Sequence, residues 1–263
     1  MKKSVLLSVF ILAFGAAACS STSGEDPLPL DEVDAGADQE DVLTLGDIGG
    51  SSEGDYRCGD AVINEWPLND IVSNASVSVE DHDDFGELTV DAAAGGMQAA
   101  AGHPFVYVSL ETGARVDITD LESLDDESWD LAFKRVAIRT NSGDSGPGGV
   151  ELTKFSDTTL EEVTEVPGSD VPFRTDRSFD DDCEPQLDGI GNLFTAFNKL
   201  NPFNDSGSQS WYNYGSGGSG GVGPVDGDIY VLRRDEGSTH YKIQIVDWES
   251  GVYTIRWAKL EDE

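Results

Sequence analysis

Three groups of residues in this chain are of types that could do chemistry. Ser145 stands in Gly143-Asp144-Ser145-Gly146-Pro147, a turn that could present its hydroxyl. A serine nucleophile also needs a histidine base and a carboxylate to orient that base. His82, His103 and His240 are the three histidines, and they are scattered, with no paired metal-binding spacing. The acidic runs Glu80-Asp81-His82-Asp83-Asp84 and Asp180-Asp181-Asp182 offer the hard oxygen donors that calcium takes. Asp81, Asp83 and Gly86 hint at a turning loop, but the spacing of an EF-hand is missing. In a chain with 51 acidic and 16 basic residues such runs read as solvated surface. No Ser/His/Asp, Cys/His or paired-carboxylate set assembles from spacing alone. No catalytic residue and no metal ligand is therefore assigned, and the chain reads as a non-enzyme.

The Ser145 segment resembles the active-site serine segment of chymotrypsin-like proteases. The resemblance is short. Neither His82 nor His103 sits in the Ala-Ala-His-Cys setting of that family, and His103 to Ser145 leaves too little chain for two β-barrels. Ordinary turn chemistry accounts for a Gly-Asp-Ser-Gly loop.

The formal net charge of −35 excludes nucleic acid as a partner, because such a surface repels phosphates. No Lys or Arg occurs between Lys3 and Arg57, nor between Arg57 and Arg115.

The amino-terminal residues have the layout of a secretory signal: Lys2 and Lys3, an apolar run from Val5 to Phe14, then Gly15-Ala16-Ala17-Ala18 before Cys19. The apolar run is shorter than the roughly 20 residues that span a bilayer. The small residues before Cys19 resemble the lipobox of bacterial lipoproteins, with Ala16 where leucine is usual. The resemblance implies a signal peptide over residues 1–18, lipid attachment at Cys19, and a membrane contact made through that anchor. Ser20 after the lipid site leans toward the outer membrane. Residues 19–55, rich in Ser, Gly, Asp and Glu, read as an acidic, self-repelling tether. Cys58 and Cys183 remain as a pair, and in an oxidising compartment they are expected to bridge. That bridge would close a loop of about 125 residues, worth up to about 5 kcal/mol by chain entropy.

The elements that must position any site are strands. Residues 56–102 read as an N-terminal extension, and 103–263 as the main β domain. Phe105 to Leu110 and Ala114 to Ile118 flank Glu111-Thr112-Gly113 as a hairpin. Trp129, Leu131 and Phe133 mark a strand, and Val150 to Phe155 another. Ile229 to Leu232, then Tyr241, Ile243 and Ile245, then Tyr253, Ile255 and Trp257 alternate with polar residues as an antiparallel meander. Ile190, Leu193, Phe194, Phe197 and Leu200 fall at helical spacing, between Asp188 and Pro202, and predict one short helix. The Gly- and Ser-rich stretch from 206 to 227 lacks a phosphate-binding lysine and predicts a loop. The fold class is all-β and antiparallel, with one short helix.

Ser128-Trp129-Asp130-Leu131-Ala132-Phe133-Lys134-Arg135, then Ile138-Arg139-Thr140-Asn141-Ser142-Gly143, then Gly148-Gly149, resembles the HmuY family. Trp211-Tyr212 and the meander from Tyr230 to Trp257 fit its closing half, so the likeness runs over roughly residues 103–260. It implies a mostly β envelope lipoprotein that captures haem, with haem or a haem-carrying protein as partner. In that family two axial side chains, usually histidines, hold the iron. Here residues 171–225 hold neither histidine nor methionine. Tyr212 and Tyr214 stand near the place of a ligand, and tyrosinate can bind haem iron. The alternative is a structural or protein-interaction lipoprotein that keeps the fold and lacks the haem site.

Overall fold

The computed structural model of the chain describes residues 68–184, 186, 195–197, 210–214, 221–234 and 237–261. Among them, strands β1 (Val77–Asp81), β2 (Gly86–Asp91), β12 (Val252–Leu260), β11 (Thr239–Glu249), β10 (Ile229–Arg234) and β7 (Glu151–Phe155) form a six-stranded sheet in that order. A four-stranded sheet runs β4 (Ala114–Val116), β3 (Val106–Ser109), β5 (Leu131–Lys134), β6 (Ala137–Thr140). A small pair joins β8 (Tyr212–Tyr214) to β9 (Val222–Pro224). Every strand pairing is antiparallel. The fold is all-β, as the alternation predicts.

The alternation decides which side chains meet. Leu232, Tyr241, Ile243, Ile255 and Leu88 point from the large sheet into one core shared with Val106, Val108, Leu131, Phe133 and Ile138 of the smaller sheet. A bulge between Ile245 and Asp247 shifts the register, so inward positions on β11 change from odd to even numbers. That shift sets Trp248 opposite the inward Tyr253 and packs it against the core. The smaller sheet is buried on both faces. Its far side carries a second cluster of Phe105, Tyr107, Ile118, Trp129, Ala132 and Ala137.

Residues 77–91 supply β1 and β2, and β2 pairs with β12, so this part of the N-terminal extension completes the large sheet. Of the predicted helix, Thr195, Ala196 and Phe197 are described, and they lie in an irregular segment with a turn; its other residues lie outside the described ones. Phe197 is a core residue, and the Thr195 hydroxyl donates a 2.5 Å hydrogen bond to the Ile138 carbonyl. Short 3-10 turns occur at Ala100–Gly102 and Glu122–Leu124.

Candidate ligand-binding cleft

A cleft of about 810 Å³ opens between the inner face of the large sheet and the β3–β4 hairpin. The register makes it. Arg234 and Thr239 pair at the end of β10 and β11, Tyr241 faces Lys259, and Trp257 lies opposite Gly86, which pairs with Asp81. All of these residues lie on the sheet's inward side. Val77 and Val79 extend the apolar wall, and Arg115 closes it from β4.

The Trp257 indole is wedged into place. Its Nε1 donates to the Leu110 carbonyl at 3.1 Å. A methyl group at Gly86 would fall 2.3 Å from its ring, so only a glycine lets β2 pass beneath it. Arg234 is fixed by a 2.9 Å ion pair to Asp130, which is fully buried, and Arg115 donates 2.6 Å to the Ala75 carbonyl and 2.7 Å to Asp117. Three cationic side chains, Arg115, Arg234 and Lys259, thus line one cleft in a chain that has 16. Asp81 and Glu111 line the cleft as well, so its rim holds three cations against two carboxylates; with the aromatic and aliphatic floor this is compatible with a flat amphipathic anion.

Behind the cleft the tryptophan-containing segment forms a hydrogen-bonded knot. Asp130 Oδ2 accepts from the Leu110 backbone at 2.6 Å while Oδ1 holds Arg234. Trp129 is buried edge-on to Tyr107, ring centres 5.0 Å apart. The Asn141 amide donates to the carbonyls of Trp129 and Asp126, both at 2.9 Å, and its oxygen accepts from the Gly148 N–H. A Cβ at Gly146 would lie 2.2 Å from the Asn141 oxygen and one at Gly148 2.6 Å from its nitrogen, which accounts for the glycines after the motif. Arg139 completes the knot with a 2.8 Å bond to the Ser145 carbonyl. The HmuY protein family profile matches residues 103–257, which contain both the knot and most of the cleft.

The chain belongs to the HmuY family. It is a family of haem-binding type and not a family of enzymes. No curated protein sequence matches the chain.

Against that family the sequence-predicted residues fall as follows. Tyr212 is buried in the main core against Trp211, which packs on Tyr253, four residues along β12 from Trp257. It does not line the cleft. Tyr214 belongs to β8, and its side chain lies outside the described part. Cys19 and Cys58 also lie outside the described residues, whereas Cys183 is half-buried in an acidic turn with φ of 62°.

The histidines do not assemble as an axial pair. His240 is on the outer face of the sheet, edge-on to Phe173. His103 lines a second pocket of about 340 Å³ beside Gly95, and His82 stacks on Phe85 in the β1–β2 hairpin. Of the side chains that proteins use on haem iron, the cleft offers only Tyr241 among the described residues. The cleft therefore offers an aromatic floor and three cations, chemistry of the kind that meets a porphyrin's plane and carboxylates, but among the described residues no histidine pair for its iron.

The other candidates are structural. Ser145 is buried, and its hydroxyl hydrogen-bonds the Asp176 carboxylate. Asp144 accepts from the N–H groups of Ser178 and Phe179 at 2.7 and 3.1 Å. Asp180 caps the turn that holds Asp182 and Glu184, and Asp181 pairs with Arg177. The glycine-rich residues 215–220 lie outside the described ones.

Sequence reasoning missed the cleft residues. The available signal was the rarity of cations: Lys259 two positions from Trp257 on a strand means that both share a face.

Proposed function

We propose that this chain is an envelope-anchored capture protein that holds haem, or a small anion of the same flat amphipathic build, in the cleft under the β3–β4 hairpin. The observation that carries this reading is the cleft itself: Trp257 and Tyr241 as the floor and Arg115, Arg234 and Lys259 at its rim, in a chain of net charge −35. Apolar contact with the macrocycle and ion pairing with its carboxylates would supply the affinity. Haem, when bound, would bring an iron that takes a further ligand, and Tyr241, which lines the cleft, would be the donor.

The rest of the reading rests on the sequence. Lipid at Cys19 would tether the domain to the outer membrane through residues 19–55, and Cys58 with Cys183 would form a disulfide. Mass spectrometry of the native protein tests both. An unmodified amino end, or two alkylatable thiols without reductant, would remove them.

Titration of the purified domain with haemin and with metal-free protoporphyrin tests the ligand. A Soret shift at micromolar haemin is expected, weakened by Arg115→Ala with Lys259→Ala. Tyr241→Phe and Tyr214→Phe then locate the iron donor. No shift with either porphyrin ends the haem reading. The separation of the histidines would then favour the second one, a structural or protein-interaction lipoprotein on the same fold.

A further inference from the structure

We propose that the β1–β2 hairpin carries a divalent metal site of the zinc class, made by Glu80, His82 and Glu87. The register of the hairpin sets Glu80 directly opposite Glu87. Two like charges at opposed positions of an antiparallel pair repel each other; Arg256 offsets part of this at Glu87, and a cation shared by both carboxylates would remove the rest. His82 follows Glu80 by two residues and joins the same face at the end of the strand. One donor atom from each of the three side chains lies within 4.8 Å of the others. Zinc bond lengths of about 2.0–2.2 Å require donors somewhat closer than that, a change that an exposed glutamate makes by a small side-chain rotation.

The site is already oriented from behind. The His82 imidazole stacks on Phe85 at 4.7 Å with 29° between the planes, and the His82 backbone N–H donates to the Phe85 carbonyl at 2.9 Å, which closes the turn. The Arg256 guanidinium lies 4.9 Å from the same Phe85 ring and donates 3.0 Å to Glu87 Oε2. One carboxylate and the imidazole are thus held by neighbours that do not themselves ligate, which is how outer contacts aim metal ligands.

The donor set chooses the metal. One imidazole nitrogen with two carboxylates suits zinc, cobalt or nickel, and leaves a position for water. Calcium wants six to eight oxygens, and strand alternation denies it the acidic run: Asp81 points to the other face and lines the cleft. The hairpin site and the cleft therefore use opposite faces of β1, and neither depends on the other.

Zinc titration by calorimetry tests this on the purified chain, at physiological salt with excess calcium present to occupy diffuse acidic binding. The expected result is one zinc per chain, and a cobalt complex whose visible bands show nitrogen and oxygen ligation. His82→Ala and Glu80→Gln should each weaken zinc by about tenfold or more. His103→Ala and His240→Ala should leave it unchanged. Circular dichroism checks that His82→Ala, at an exposed turn, stays folded. Binding that calcium displaces, or that His82→Ala leaves intact, overturns the proposal.

Discussion

The ammonium group of Lys134 lies 4.4 Å from the centre of the Phe105 ring and donates a 2.9 Å hydrogen bond to the His103 carbonyl. The Arg139 guanidinium stands 5.0 Å from that ring, so one phenyl group faces two buried cations. Asp120, the neighbouring carboxylate, accepts from the Phe105 N–H, the Tyr107 hydroxyl and Asn69. Burial lowers the Lys134 pKa to about 8, with Arg139 pushing the same way and Asp120 opposing.

A lysine whose folded pKa lies below its unfolded value binds fewer protons when folded. Stability then rises with pH between about 8 and about 10.5, and at neutral pH the charged group costs up to about 3 kcal/mol. Lys134→Met should be more stable than the parent at pH 7 and should lose the rise above pH 8. Urea midpoints at pH 7 and pH 10 decide it; a variant no more stable at pH 7 would show that the hydrogen bond to His103 outweighs the burial.

Asp176 makes the opposite kind of pH dependence. Burial raises its pKa from 3.8 to about 6, against hydrogen bonds from the Ala196 N–H, Ser145 and Thr140 that favour the charged form. The folded chain therefore holds a proton that the unfolded chain has lost between about pH 4 and pH 6, and stability falls as pH rises through that window. Asp176→Asn should remove the fall. It should also destabilise by about 1–3 kcal/mol, because an amide nitrogen would face donors at 2.8–2.9 Å. Thermal melts at pH 4 and pH 7 compare the two. A variant that keeps the parent's slope would move the titration to another carboxylate.

Trp129-Asp130 is the most recognisable pair in the chain, and it marks the family. Its chemistry is nevertheless that of a strut, since the carboxylate ties β3 to Arg234 on β10 across the sandwich. Breaking a buried ion pair from one side costs about 3–5 kcal/mol. Asp130→Ala should lose about that much stability, and Arg234→Ala more, because it strands a fully buried carboxylate, while Arg234, with 16% exposure, can turn to water when Asp130 is removed. Chemical denaturation of both variants measures the asymmetry, and equal losses would contradict it.

The meander was legible because one face is wet: Lys242, Gln244, Thr254 and Arg256 punctuate the apolar positions. The β3–β4 hairpin was legible from its turn. Strand β5 was read from the alternation of Trp129, Leu131 and Phe133, although it is buried at every position; β6, buried throughout as well, offered no such alternation and was not placed as a strand. Residues 77–91 were obscure because β1 shows its charged outer face to water and sends only Val77, Val79 and Asp81 inward. The cleft was not legible at all. Its cations come from three strands apart in sequence: the register of the large sheet sets Arg234 and Lys259 on one face, and the packing of the smaller sheet's hairpin adds Arg115.

Gly86 is the most economical handle on that cleft. Its place under Trp257 is set by the β2–β12 register, and a Cβ there would stand 2.3, 2.5 and 2.8 Å from three atoms of the indole ring. The hairpin leaves the ring little room upward, since even a methyl group added at Gly113 would stand 3.1–3.2 Å from it. In Gly86→Ala the indole must therefore swing outward into the cleft and break its bond to the Leu110 carbonyl. Overpacking of this kind costs about 1–3 kcal/mol of stability. Haemin affinity should fall with it, while Gly102→Ala, where nothing lies within 4 Å of an added methyl, should leave affinity unchanged. Trp257 fluorescence during the porphyrin titration reads both effects. Unaltered haemin binding in Gly86→Ala, with the shifted emission of a displaced indole, would place the porphyrin elsewhere on the protein.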